Sequence, residues 1–336
     1  MNVRREMDAN SSRNKVAITG IGVVSGFGLG GDKLFDGLMD GVCLAKPIPD
    51  RYRTLHDFSS SFHVPAIDVV PALNQYQLSN SDIMIMEPPA QYAAMASLLA
   101  IKDAGFILEK QRNRFSVEQL AEAEIVVGLG FGGMRSGFRS YIAHTFKQPV
   151  TTVQSESFQS WPTFNRMVIP MMMTSAPSSW ISMLFGINGG AHCLNTACAS
   201  GTMAIGEAYR KIADGYCSVA VAGGVEVLHD PDGAIMRGFD EVNALTKSTD
   251  GDPTPFSRNR SGFLFNGGSS TFFILEQLER AQSRNARVYA LIDDYVTNSD
   301  AYNLMKPKKN GEQVFKLLKK IKADRKIDYI NTHGTG

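Results

Sequence analysis

The sequence is poor in the features that most quickly assign a class. Its 336 residues contain four cysteines, and none has a partner at metal-ligand spacing. That argues against a disulfide framework or a structural metal and suits a reducing, cytoplasmic setting. Charge almost cancels, with 34 Lys and Arg against 33 Asp and Glu. Without a basic surplus, neither nucleic acid nor an acidic membrane surface is an expected partner. No apolar run has the length of a membrane span, and the longest apolar-rich stretch, residues 167–173, is interrupted by Pro170. Residues 1–14 lack the apolar core of a secretory signal and read as a flexible, polar extension. There is no short repeat and no low-complexity linker. What is present is ordinary globular material, 43% hydrophobic and 20% charged, enough for one large or two ordinary domains.

Short apolar runs alternate with helical patterns. Strands are expected at residues 16–22, 124–128, 191–195, 218–222, 271–275, 288–295 and 327–331. Helices are expected at 32–39, 88–104, 199–213 and 312–322. The second opens beside prolines, is rich in Ala, Leu and Met, and closes at Gly105, as a buried helix would. The third repeats Ile205, Ala208, Tyr209 and Ile212 at helical spacing. The fourth places Val314, Phe315, Leu317, Leu318 and Ile321 on an inner side. Residues 43–86, rich in Pro, Ser and Asp, read as surface loops. Strand–helix–strand order with short links predicts an α/β fold with parallel pairs, covered on both faces.

The chemistry concentrates at Leu194-Asn195-Thr196-Ala197-Cys198-Ala199-Ser200-Gly201. A strand end and a small-residue turn lead straight into a helix, so Cys198 stands at a helix N-terminus. Backbone N–H groups and the positive end of the helix dipole favour a thiolate there, the nucleophilic form. The bland alternative is a buried structural cysteine. His333, in the turn-rich run Asn331-Thr332-His333-Gly334-Thr335-Gly336, is a second group suited to acyl transfer. The run from Gly128 to Gly133 matches GxGxxG, but no acidic residue follows at nucleotide-site distance. It reads instead as a loop that lets backbone approach another element closely. His192 and Cys193 alternate on one strand and form no zinc set with Cys198.

These runs in their order resemble the β-ketoacyl-[acyl-carrier-protein] synthases, the elongating condensing enzymes of fatty-acid and type II polyketide synthesis. The matching segments are residues 16–25, Thr196-Ala197-Cys198-Ala199, Ala222-Gly223-Gly224-Val225-Glu226, Pro255-Phe256-Ser257-Arg258 with Arg260-Ser261-Gly262-Phe263, and residues 329–336. The resemblance runs from residue 15 to 336. It implies a thiolase-like α/β fold, two similar halves in five layers (α-β-α-β-α), with the second half incomplete in this chain. On that reading residues 1–14 are an extension, 15–276 the first half, and 277–336 the start of the second. The resemblance makes Cys198 the nucleophile, with its own backbone N–H in the oxyanion hole, and His333 the first of two active-site histidines. It places Phe131 and Phe265 against the substrate.

By the same resemblance, no metal or resident cofactor is needed. Substrates arrive on the phosphopantetheine of an acyl carrier protein, and the enzyme pairs as a homodimer or with a related ketosynthase-like subunit. The implied reaction is decarboxylative Claisen condensation of an acyl thioester with malonyl-acyl carrier protein. The alternative is a non-catalytic partner like the chain-length factor, which normally lacks the cysteine. Three departures stand out. Asn266-Gly267-Gly268-Ser269-Ser270 lacks the family's glutamate, and two loop aspartates are Ser257 and Ser261. The family's lysine, second histidine and glycine-rich gating loop, which follow the first histidine, are expected to be missing from this sequence.

Overall fold

The computed structural model describes residues 13–146, 166–303, 307–321 and 326–335. Its strands are β1 (Val16–Ser25), β2 (Gly28–Leu29), β3 (Lys46–Pro47), β4 (Phe62–Val64), β5 (Glu109–Gln111), β6 (Arg114–Ser116), β7 (Glu124–Gly128), β8 (Ala191–Leu194), β9 (Val219–Glu226), β10 (Phe265–Asn266), β11 (Ser269–Gln277) and β12 (Ala290–Ile292). Its α-helices are α1 (Gly31–Met39), α2 (Asp50–Leu55), α3 (Val70–Gln75), α4 (Asn80–Ile85), α5 (Pro88–Asp103), α6 (Met134–Phe146), α7 (Val168–Met172), α8 (Ala176–Phe185), α9 (Ser200–Ala213), α10 (Ala234–Glu241), α11 (Leu278–Ser283) and α12 (Glu312–Leu318).

Seven strands form one sheet in the order β12-β1-β11-β9-β7-β8, with β2 paired on β1. The parallel pairs expected from strand–helix–strand order are β9/β7 and β7/β8. On the other side β11 enters antiparallel between β1 and β9. Local patterning could not show that arrangement, because the partners lie far apart in sequence.

Side chains alternate between two cores, as the pleat requires. Ile125 and Val127 face one way, with Leu98 and Ile101 of α5 and Ile181, Leu184 and Phe185 of α8. Val126, Ala220 and Ala222 face the other, against Ala204, Ala208 and Ile212 of α9. Helix α5 is buried nearly all round, which explains why its sequence carries so little charge. The layers seen among the described residues are therefore three, α-β-α; the five of the full thiolase-like fold are not all present among them.

Several boundaries differ from the sequence reading. Residues 1–12, most of the expected extension, lie outside the described residues. Asn14 belongs to the fold: its backbone N–H donates to Ala213 O at 3.0 Å and its side chain to Ile212 O at 3.1 Å. The division expected at 276/277 falls inside β11, and β12 beyond it still pairs with β1. Residues 43–86 are more ordered than their composition suggested, holding α2, α3, α4, β3 and β4. Residues 327–331 join no ladder among the described residues: Tyr329 is 81% and Ile330 62% exposed, with no described strand beside them. Helix α12 forms, but Val314, Phe315 and Leu318 are exposed, so its expected inner face is uncovered. Among the described residues no helix is long and apolar enough to cross a membrane.

Candidate active site

Helix α9 starts where the parallel strands β7, β8 and β9 end. Two glycines allow this. A Cβ at Gly128, the last residue of β7, would run into the backbone of Ser200. A Cβ at Gly224 on β9 would lie 2.9 Å from Gly201 Cα. Backbone thus lies directly on backbone, and the turn before the helix is lifted out at the sheet's end.

That turn carries Cys198, which is exposed and free. Ala197 beside it has φ +50°, a left-handed conformation that costs an alanine about 1 kcal/mol. Ser200 holds the turn in this shape. Its buried hydroxyl accepts from Thr196 N at 2.9 Å and donates to Ala197 O at 2.7 Å. Ala199, at the N-cap of α9, makes no side-chain cap bond. The thiol therefore stands exposed at the positive end of a helix of 14 residues. The other three cysteines are unlike it. Burial pushes the Cys193 and Cys217 thiols up, Cys217 to about 11. Desolvation also pushes Cys43 up, and its Sγ donates to Gly251 O.

Beside this turn runs the glycine loop after β7. Leu129 N donates to Leu194 O at 3.0 Å, and Asn195 Nδ2 to Gly130 O at 2.7 Å. Helix α6 opens after the loop at Met134. The close-approach reading of the glycines holds: a Cβ at Gly132 would meet Met172 O, and one at Gly133 would meet Met171 O. Phe131 projects 38% exposed, edge-on to Phe239 of α10 with ring centroids 6.2 Å apart. Asp230 fixes the start of α10 by accepting from Ala234 N and Ile235 N at 3.0 and 2.9 Å. Phe131, Met134, Phe138, Ile235, Phe239 and Val242 line an apolar pocket of about 350 Å³.

Phe265 is 2% exposed and packs against Phe239, the rings tilted by 57° with centroids 6.1 Å apart. It is a core residue that supports the pocket wall from behind, because it lies on a strand, β10, covered by α10. His333 lies in the exposed segment 326–335, whose Gly334 packs near the Phe256 ring. Among the described residues no hydrogen bond joins His333 to Cys198. At the substituted loop positions, Ser261 Oγ accepts from Lys247 N at 2.8 Å and Ser257 Oγ from Asn259 N at 3.1 Å.

Three positions escaped the sequence reading as contributors to the site: Asn195, Ser200 and Glu226. The signal for Glu226 was there, a carboxylate ending the apolar run of β9. Its Oε2 accepts from Gly130 N at 2.9 Å and Phe131 N at 3.0 Å. Burial pushes its carboxyl up to about 7.

The sequence pattern described as "Beta-ketoacyl synthase, N-terminal domain" matches residues 13–281. The chain is 27% identical over 336 residues to 3-oxoacyl-[acyl-carrier-protein] synthase 2 of Synechocystis sp., covering 97% of this chain and 74% of the relative. It is 29% identical to a putative polyketide beta-ketoacyl synthase 1 of Streptomyces halstedii, covering 96% and 73%. Among solved structures, a beta-ketoacyl synthase from Burkholderia phymatum superposes with TM-score 0.70 at 25% identity, over 90% of this chain and 69% of that one.

Proposed function

The chain belongs to the β-ketoacyl synthase family, and from that premise we propose that it is a ketosynthase of the 3-oxoacyl-acyl carrier protein synthase type that carries its acyl group on Cys198. The observation behind this reading is the exposed thiol held at the start of α9 by Ser200 and the Gly128–Gly224 seat. An acyl thioester on a carrier protein's phosphopantetheine meets the Cys198 thiolate. The new C–S bond forms through a tetrahedral oxyanion stabilised by the Cys198 backbone N–H, and the pantetheine thiolate leaves. Malonyl-carrier protein then binds. Its C–C bond to the carboxylate breaks, carbon dioxide departs, and the electron pair becomes an enolate whose oxygen His333 stabilises by donating a hydrogen bond. The enolate carbon attacks the acyl carbon, releasing the Cys198 thiolate and a 3-oxoacyl chain two carbons longer. No resident cofactor enters this cycle, and its product belongs to fatty-acid or polyketide synthesis. A non-catalytic scaffold role finds no support in a chain with a thiol at this position.

Phe131 sets acyl-chain preference on this reading. Its rigid ring fills volume at the apolar pocket, favouring short or rigid unsaturated chains over long saturated ones. The working unit is a dimer, of two copies or with a related subunit. Ile169, Met172 and Met173 of the α7 region stand exposed and are apolar surface for a partner to cover. Light scattering that shows a clean, unaggregated monomer would count against that pairing.

The test of the central claim is intact mass after incubation with acyl-pantetheine thioesters. The wild type gains one acyl group and Cys198→Ala gains none. Equal acylation of both proteins would defeat the assignment.

A further inference from the structure

Glu226 stands out as a half-buried carboxylate that does not act in the proposed chemistry. It ends β9, and its Oε2 takes two successive backbone N–H groups, Gly130 N at 2.9 Å and Phe131 N at 3.0 Å. Its Oε1 is buried with no hydrogen-bond partner. A carboxylate kept for stability alone is normally paired with a cation or fully hydrogen-bonded, because an unpaired buried charge is costly. Here no cation pairs with it, and its partners are backbone N–H groups of Gly130, Phe131 and Val227. The causes that raise this carboxyl to about 7 are led by desolvation, with only backbone N–H donors opposing it.

The second observation is what the carboxylate holds. The peptide unit joining Gly130 to Phe131 is pinned at both polar atoms. Its N–H goes to Glu226 and its C=O accepts from Asn195 Nδ2 at 2.7 Å. Asn195 lies three residues before Cys198, in the nucleophile turn. The approach is possible because Gly130 has no side chain; a Cβ there would occupy the place of Glu226 Oε2. One peptide plane thus links β9, the nucleophile turn and the Cα that carries the Phe131 ring.

We propose that Glu226 is a positioning residue for acyl-chain selection: with Asn195 it fixes the Gly130–Phe131 peptide and so sets where the Phe131 ring stands in the pocket beside Phe239. The proposal rests on the ketosynthase reading and on Phe131 as a pocket residue, and it adds the element that holds the gate. Glu226→Gln keeps the size of the side chain but replaces the acceptor of two N–H groups with an amide that can also turn its NH₂ toward them. The ring is then free to move, and long chains should enter more readily. Short chains, which do not reach the ring, should be affected little.

The experiment measures the rate of Cys198 acylation by butyryl- and dodecanoyl-pantetheine, followed by intact mass, for wild type, Phe131→Ala, Glu226→Gln and the double variant. Phe131→Ala should reduce discrimination against dodecanoyl by about tenfold. Glu226→Gln should reduce it comparably, with the butyryl rate within about threefold of wild type. In the Phe131→Ala background, Glu226→Gln should add nothing, because its action passes through the ring. Equal loss of both rates, or an undiminished effect of Glu226→Gln in the Phe131→Ala background, overturns the proposal. If Glu226→Gln does not fold, Asn195→Ala removes the other pin; it should relax discrimination in the same direction, and its failure to do so also overturns the proposal. A Phe131→Ala protein with unchanged discrimination sinks the pocket reading and takes the clamp with it. Absence of any acyl group on Cys198 in wild type sinks the ketosynthase reading itself. An active Phe131→Ala phenotype beside an unaffected Glu226→Gln sinks the clamp alone.

Discussion

The two faces of the sheet are built to different specifications. On one face α8 and the middle of α5 press leucine, isoleucine and phenylalanine against Ile125, Val127, Val221, Phe272 and Ile274, while the alanines of α5 also seat its backbone on Gly20 and Gly22 of β1. On the other, α9 meets the strands mostly through alanine, Ala204 and Ala208 against Ala220 and Ala222, and at its first turn through Gly128 and Gly224. Large side chains bury much apolar area per residue, and stability scales with that area. Small ones give up area and gain proximity, since helix backbone can then be referenced directly to strand backbone. The face under α8 carries more of the bulky packing; the face under α9 places the thiol.

That division predicts separable losses. The largest expected effect is on stability. Ile181→Ala, in the dense face, should cost about 4 kcal/mol in urea unfolding, while the acylation rate per folded molecule stays near wild type. Next, Gly128→Ala should cost less stability, about 2 kcal/mol from overpacking, yet displace the start of α9 and slow Cys198 acylation on the order of 100-fold. If Gly128→Ala acylates normally, or Ile181→Ala loses acylation along with stability, the two faces are not specialised in this way.

A pH series sharpens the picture with two desolvated groups of opposite sign. His63 is held neutral by burial first, and then by its neighbours His229 and Lys46, down to about 4. The unfolded chain therefore binds more protons between about 6.5 and 4, and stability is lost as pH falls through that window. Glu226, at about 7, is the reverse: the folded state holds the extra proton, so stability is lost as pH rises from about 4.5 through 7. Each contributes on the order of 2 kcal/mol. Glu226→Gln should flatten the upper limb in thermal melts and His63→Gln the lower; an unchanged limb in either variant refutes the corresponding assignment. The smallest effect expected is chemical. Brief iodoacetamide exposure should label Cys198 about tenfold faster than Cys43, Cys193 or Cys217, read by peptide mapping. Equal labelling would remove the thiol's special status.

How much of this was legible beforehand depended on range. The helix 88–104 and the strand 124–128 were readable because both are written in local periodicity and composition, and the structure gives Pro88–Asp103 and Glu124–Gly128. Cys198 was readable because a strand end, a small-residue turn and a helix start are adjacent in sequence. The antiparallel insertion of β11 was not, since Val16 pairs with Gln277. Glu226 was quoted as part of a motif but not as a contact, because its partners Gly130 and Phe131 lie 96 and 95 residues away. The burial of Phe265 behind Phe239 was not legible either, because a pattern locates a residue in sequence but not the ring packed against it. Residues 327–331 have strand composition, yet a strand also needs a neighbour, and composition carries no information about neighbours.

The pairing of β1 with β11 has a consequence for how the protein comes into being. The register runs from Val16↔Gln277 to Val24↔Ser270, so β1 leaves the ribosome roughly 250 residues ahead of its main partner. At ordinary synthesis rates that delay is about 12–50 s. The β7-to-β9 region can assemble earlier, since its strands and α8 and α9 lie within about 100 residues of each other. For that interval β1 offers apolar side chains on both faces with an unmatched edge, the condition under which nascent chains recruit holdases or stick to one another. Ribosome pausing before residue 269 lengthens the interval, so slower elongation over the middle of the message is expected to lower soluble yield.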